Sequence, residues 1–218
     1  TIEKVPCHLT VEPASLYRPT AARRLPRIEQ PDRRSPRPGA VPALLITCDA
    51  FDASLMFQPA ALLTSTIRRS PESPATRLKT LSYIDNIFAA REAAARAMDD
   101  ALMLTTGDRV ACSTIANIFL TKGRKLVTPA RDQGILTGVT RQALIAAAHH
   151  AGYDVEERAV KPAELYKADA VFLTNSLRLI RPVKSLDQQP LNMADLTLLA
   201  DGLCETARMQ CGRDPRLI

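Results

Sequence analysis

No run of about 18 consecutive apolar residues occurs anywhere in the 218-residue chain, which excludes a membrane-spanning helix of ordinary length. The first residues also lack the charged-then-apolar order of a secretion signal, so the expectation is a soluble, cytoplasmic protein with no membrane partner. The five cysteines (Cys7, Cys48, Cys112, Cys204 and Cys211) form no Cys-x-x-Cys pair and have no histidine at metal-binding spacing, so a zinc centre is not expected. Cys204 and Cys211 stand two turns apart on a predicted helix and read as core packing. His149-His150 lies in an Ala-rich helical stretch without a third ligand at useful spacing, which makes it a partly exposed pair with no metal role.

Positive charge is plentiful overall, at a formal +6, but unevenly placed. Residues 18–37 hold seven arginines against Glu29 and Asp32, so the remainder is nearly neutral. That stretch lies within residues 1–42, which also carry eight of the 16 prolines. Beyond Tyr17 no aromatic side chain is interleaved on which a base could stack. The pattern reads as a solvated basic, irregular segment over residues 1–40, with no nucleic acid as partner. A hydrophobic content of 46% is sufficient for a packed core, assigned here to residues 41–218.

Periodicity in that part alternates between strand and helix. Val41 to Thr47 and Ala60 to Ile67 read as buried strands, followed by a proline-broken loop from Arg68 to Pro74. From Ser82, a suitable N-cap, Ile84, Ile87, Phe88, Ala95 and Met98 fall on one helical face predicted to pack on a sheet. Ala101 to Leu104 and Arg109 to Cys112 read as a hairpin around Thr105 to Asp108. Asn117 to Thr121 and Lys125 to Thr128 repeat the pattern. Helices are predicted near 140–151 and 192–210, with strands at Val155 to Val160 and Ala170 to Thr174. The class is mixed α and β: α/β of the α+β type.

Three segments carry chemistry. Lys79 sits where the turn-rich stretch gives way to the helix, and it is predicted to project from a strand end into a pocket. An amine removed from bulk water there loses proton affinity and becomes a nucleophile, which an arginine could not. Gly138-Val139-Thr140-Arg141 opens a helix, whose free N–H groups and dipole suit an anion such as phosphate. Thr174-Asn175-Ser176-Leu177 follows a buried strand, so its polar side chains stand at a strand end.

In this order, with Pro182-Val183 following, these segments resemble the class IV aminotransferases. That fold-type IV pyridoxal-phosphate group includes branched-chain and D-amino-acid aminotransferases and aminodeoxychorismate lyase. The likeness runs over residues 41–190, with Asn117-Ile118-Phe119, Thr128-Pro129 and Gly134-Ile135-Leu136 in their expected places. It implies a large cofactor-binding domain with a β-barrel-like sheet flanked by helices. It also implies pyridoxal 5'-phosphate as cofactor, an amino-acid-like small-molecule substrate and a homodimer.

Carried over by position, the resemblance makes Lys79 the Schiff-base lysine and Tyr83 a partner of the cofactor's phenolic oxygen. Leu136 packs on the ring, Val139 and Thr140 cradle the phosphate, and Ser176 adds a donor. Asn175 and Leu177 face the substrate. The run Phe172 to Leu177 is most similar to the lyase branch, which releases pyruvate and 4-aminobenzoate, a step of folate biosynthesis. The alternatives are a branched-chain or D-amino-acid aminotransferase, and a truncated, non-catalytic remnant acting as an interaction module.

Two departures stand out. Where the family has a glutamate facing the ring nitrogen, this chain has Cys112, whose thiol (ordinary pKa about 8.5) supplies no negative charge at neutral pH. The family's smaller N-terminal domain is replaced by the Pro/Arg-rich segment, read as its remnant.

Overall fold

The structure is a computed structural model that describes residues 52–217. The strand expected at Val41 to Thr47, the basic segment, Cys7 and Cys48 lie outside the described residues. The strands are β1 (Ala60–Arg69), β2 (Asp100–Thr105), β3 (Val110–Ser113), β4 (Asn117–Lys122), β5 (Lys125–Pro129), β6 (Asp154–Arg158), β7 (Ala170–Asn175), β8 (Leu179–Leu186) and the two-residue β9 (Gln189–Pro190). The helices are α1 (Ile84–Ala94), α2 (Val139–His150), the single turn α3 (Pro162–Leu165) and α4 (Thr197–Cys211).

The nine strands of the described residues join one mixed sheet in the order β3-β2-β1-β8-β7-β4-β5-β6, with β9 hanging on β8. The two predicted hairpins, β2–β3 and β4–β5, form as antiparallel pairs. Strand β8 breaks no clear alternation and contains Pro182, so local pattern alone does not announce it. It forms because β7 and β1 accept it on either side, antiparallel and parallel respectively. The sheet curls until its ends meet: the Val110 amide at the start of β3 donates to the Val160 carbonyl, two residues beyond β6, at 2.9 Å. That contact makes the architecture barrel-like, as expected, with helices outside.

Closure explains the composition of the strands. Leu62, Leu102, Leu104, Ile118, Leu120, Val127, Val171, Leu173 and Val183 fill one continuous core. The opposite faces of β1 and β2 are covered by α1, so every residue of β2 is buried, and its Ala101 to Leu104 stretch reads as a continuous apolar run rather than an alternating one.

Helix α1 corrects the predicted face. Ala89 and Ala93 seat it on Leu63, Ala101 and Met103, whereas Ile84, Ile87 and Phe88 are exposed. Ala95 is already the C-cap. Small residues win because they allow the helix axis to approach the sheet closely. The N-cap is Tyr83 rather than Ser82, without a side-chain capping bond. Further on, Cys204 is buried as expected, but Cys211 is exposed in the last turn of α4. His149 and His150 are exposed at the end of α2. No cluster of potential metal ligands occurs among the described residues, and none of their helices is long and apolar enough to cross a membrane.

Candidate functional site

Lys79 is not at a strand end. β1 finishes at Arg69, and a 3-10 turn over Pro74–Arg77 intervenes. The lysine sits in the following loop with its side chain exposed, and its Nζ lies 5.8 Å from the centroid of the half-buried Tyr83 ring. The prolines of the loop favour a turn over continued pairing, which displaces Lys79 from the strand. Nor does the lysine line the small cavity at the end of β7. That cavity, about 10 Å³ and large enough for about one water, lies beside Asn175, Arg178, Arg181 and Asp100.

Position is nevertheless imposed on the lysine loop, by Arg69. This side chain falls in phase with the inward Ser65 and is only 8% exposed. Its guanidinium donates from Nη2 to the Thr76 carbonyl at 3.0 Å, from Nη1 to Asn86 Oδ1 at 3.3 Å and from Nε to the Gly134 carbonyl at 3.2 Å. One side chain thus ties together the lysine loop, helix α1 and the loop before Leu136. Asn86 extends the tie by donating to the Thr114 carbonyl at 2.6 Å.

Gly134 shows how closely two of these segments approach. Its φ of +64° is left-handed, and a Cβ there would stand 2.9 Å from the Pro71 Cα and 3.2 Å from Thr76 Oγ1. Only glycine meets both demands.

Cys112 lies on β3, buried against Ala111 and Ile135. Burial pushes its thiol up from the ordinary range; the nearby Arg69 charge works against this and Asp100 reinforces it. The side chain packed on Ile135 is therefore a protonated thiol at neutral pH.

Across the sheet, Asn117 Nδ2 donates to the Leu136 carbonyl at 2.7 Å and fixes the loop that carries the half-buried Leu136. Gly138 then N-caps α2, with no side chain capping the helix and no acidic residue in its first turn. Of the residues expected to form this cradle, Thr140 is buried and Val139 is 73% exposed, so Val139 can contribute its backbone alone. Arg141 turns away to the Pro129 carbonyl and Glu157.

Asn117 and Thr174 are directly opposed in the antiparallel β4–β7 pair, so their side chains leave the same face of the sheet. Thr174 Oγ1 is buried there without a hydrogen-bond partner. Such an orphan is costly unless something else satisfies it. In the turn after β7, Asn175 Oδ1 accepts from the Leu177 and Arg178 amides at 3.0 and 2.8 Å. This leaves Ser176 exposed at the tip and Leu177 half-buried.

Sequence reading missed Arg69 and Asn86. For Arg69 a signal existed, since a charged residue in phase with the inward positions of a strand is unusual. Thr174 was read as part of a polar strand end, and its burial without a partner is what only the assembled sheet reveals.

The uncapped N-terminus of α2 suits an anion such as a phosphate, and Lys79 supplies an exposed amine that could meet a carbonyl group. Cys112 offers no anion to a basic ring nitrogen.

Comparison with known proteins matches residues 11–186 to the model of the amino-transferase class IV family, thirty residues earlier than the likeness read from Val41 onward. A Thermotoga maritima protein named "Probable branched-chain-amino-acid aminotransferase" is 37% identical over 127 residues, 57% of this chain and 45% of the relative. An aminodeoxychorismate lyase of Bacillus subtilis is 34% identical over 135 residues, 62% of this chain and 46% of the relative. The chain therefore spans about half the length of these curated relatives. Among solved structures, the branched-chain amino acid aminotransferase of Thermobaculum terrenum in its PLP (holo) form superposes with a TM-score of 0.71. Its identity is 28%, covering 80% of this chain and 58% of that one.

Proposed function

The chain belongs to the class IV aminotransferases, a family whose cofactor is pyridoxal 5'-phosphate, and from that premise we propose that residues 41–218 form the large cofactor-binding domain, with Lys79 holding the cofactor. The observation that carries this reading is the Arg69 tie, which brings the amine-bearing loop, α1 and the Gly134–Leu136 loop to one place.

When bound, the cofactor supplies a reactive carbonyl and an electron-withdrawing ring for chemistry at the α-carbon of an amino acid. The backbone of Val139 and Thr140, the Thr140 hydroxyl and Ser176 would hold the phosphate. Leu136 would pack against the ring and Tyr83 would orient it beside Lys79. As the amine that holds the cofactor, Lys79 would also move the proton at the substrate α-carbon. Asn175 shapes the turn that presents Leu177 to the substrate. Beside the ring, Cys112 keeps its proton, so it cannot offset a positive ring nitrogen as a carboxylate would.

The substrate is an amino-acid-like small molecule, and the run Phe172 to Leu177, through its resemblance to the lyase branch, favours the aminodeoxychorismate lyase type of reaction over amino-group transfer. A second copy of the chain completes the site in a homodimer.

Incubation with pyridoxal phosphate, borohydride reduction and peptide mass spectrometry should locate a single adduct on Lys79. A chain that gives none there is a non-catalytic remnant, and the proposal fails. Product assays then separate the reactions: formation of 4-aminobenzoate from aminodeoxychorismate supports the lyase. Conversion of the cofactor to its amine form by L-leucine or D-alanine, without 4-aminobenzoate, supports the aminotransferase.

A further inference from the structure

We propose that Arg69 is the positioning residue of the site: it sets the place of Lys79 through the lysine loop without itself touching the reacting atoms. The proposal rests on the reading that Lys79 holds the cofactor.

Arg69 is buried, yet among the described residues it forms no ion pair; its three recorded acceptors are the Thr76 and Gly134 carbonyls and the Asn86 amide oxygen. Removing a guanidinium from water is expensive, and neutral acceptors compensate less than a carboxylate. A structural staple alone would be served by an apolar side chain. The planar fork does something an apolar side chain cannot, since it fixes three segments at set angles to one another. Two of them reach the lysine from opposite sides: Thr76 lies three residues before Lys79, and Asn86 lies three residues after Tyr83, the ring nearest to Nζ.

Independent packing points to the same joint. A Cβ on Gly134 would collide with the Pro71 backbone and press on Thr76 Oγ1. The Thr76 hydroxyl in turn donates to the Ser73 carbonyl at 2.7 Å. The lysine loop is thus held at its start by close contact and along its length by the guanidinium. Lys79 itself, exposed and without a hydrogen bond of its own among the described residues, depends on those neighbours for its location.

The test compares Arg69→Met and Arg69→Lys with the parent chain, by the rate at which pyridoxal phosphate and borohydride label each lysine. Lys184, exposed on β8, serves as internal control. Misplacement of a reacting group by about 1 Å can cost ~100-fold. The expected result is a loss of at least about 10-fold at Lys79 in Arg69→Met, unchanged labelling of Lys184 and partial recovery in Arg69→Lys. Lys79 labelling at the parent rate overturns the proposal, and so does equal loss at Lys79 and Lys184, which marks a general structural role.

Should Arg69→Met fail to fold, Asn86→Ala, which removes one of the three acceptors, is judged by the same two criteria. Amide hydrogen exchange gives a second readout: it should rise over residues 76–83 and 134–136 but not in β4 and β5. If the parent chain shows no adduct on Lys79, the cofactor reading fails while the exchange measurement still decides whether Arg69 positions the loop.

Discussion

Asn117 on β4 holds the carbonyl of Leu136 at 2.7 Å through its amide, while its Oδ1 lies where a Cβ on Gly138 would come within 2.6 Å. One buried side chain thus sets both the loop that carries Leu136 and the backbone that opens α2. Gly138 has an ordinary φ of −64°, so its need for glycine is spatial rather than conformational.

Gly138→Ala should therefore destabilise the fold by about 1–3 kcal/mol, the usual cost of overpacking. Asn117→Ala should cost about 1–3 kcal/mol by leaving the Leu136 carbonyl unpaired. Because the added methyl group and the amide compete for one space, the double variant should be less destabilised than the sum of the two. Urea denaturation of all four proteins measures the coupling; strict additivity would show that Asn117 moves aside at no cost.

Lys79→Ala should abolish the reduced adduct and shift the unfolding free energy by no more than about 0.5 kcal/mol, since the side chain is exposed and its approach to the Tyr83 ring is a surface contact. Mass spectrometry and thermal melts report the two effects separately. A retained adduct on another residue would reassign the cofactor lysine.

Thr174→Val replaces an orphaned buried hydroxyl with a methyl group of the same shape. Without cofactor the variant should be as stable as the parent or more so, by up to about 1 kcal/mol, because an unpaired polar group is removed. Binding of pyridoxal phosphate or inorganic phosphate should weaken, as read by equilibrium dialysis. Unchanged phosphate affinity would mean that the hydroxyl does not face the cradle.

Glu92 fastens α1 to β1. Its carboxylate accepts from the Ser65 hydroxyl at 2.6 Å, from the Thr66 hydroxyl and from the Thr66 amide at 3.0 Å. The Ser65 bond, followed by the Thr66 hydroxyl, holds its pKa below the ordinary value of 4.5. A lowered carboxylate stabilises the fold above its unfolded pKa and loses that contribution as pH falls through the folded value. Amide exchange in α1 should therefore rise, relative to the rest of the sheet, as pH drops below 4.5. Glu92→Gln should remove that pH dependence.

Cys112 titrates in the opposite sense. Burial raises its thiol, so its contribution to stability is intact below the unfolded pKa of about 8.5 and declines as pH climbs through the folded value. Thiol reagents should modify exposed Cys211 well before Cys112 at pH 8, as peptide mapping would show. Cys112→Ser, with no comparable thiol to ionise, should flatten the alkaline loss of stability.

Much of the secondary structure was legible from local pattern. Both hairpins follow from apolar runs around Thr105 to Asp108 and Lys122 to Arg124, and the start of α2 follows from Gly138. These depend on neighbours a few residues away, which the sequence displays directly. The exposed face of α1 was misjudged because Ile84, Ile87 and Phe88 are the larger apolar groups, whereas the sheet admits only Ala89 and Ala93 at close range. The place of Lys79 was misjudged because the two prolines and the 3-10 turn move it away from β1.

The chain by itself therefore determined the chemistry available: one amine in a turn before a helix, an uncapped helix start, and a thiol where a carboxylate would be needed to charge a ring. The tertiary structure decided which side chains hold that chemistry in place. Arg69 reaches Gly134 across 65 residues of sequence, and Asn86 reaches Thr114 across 28. Directional bonds between buried groups so far apart exist only after the sheet has curled and brought its segments together, and no local periodicity encodes them.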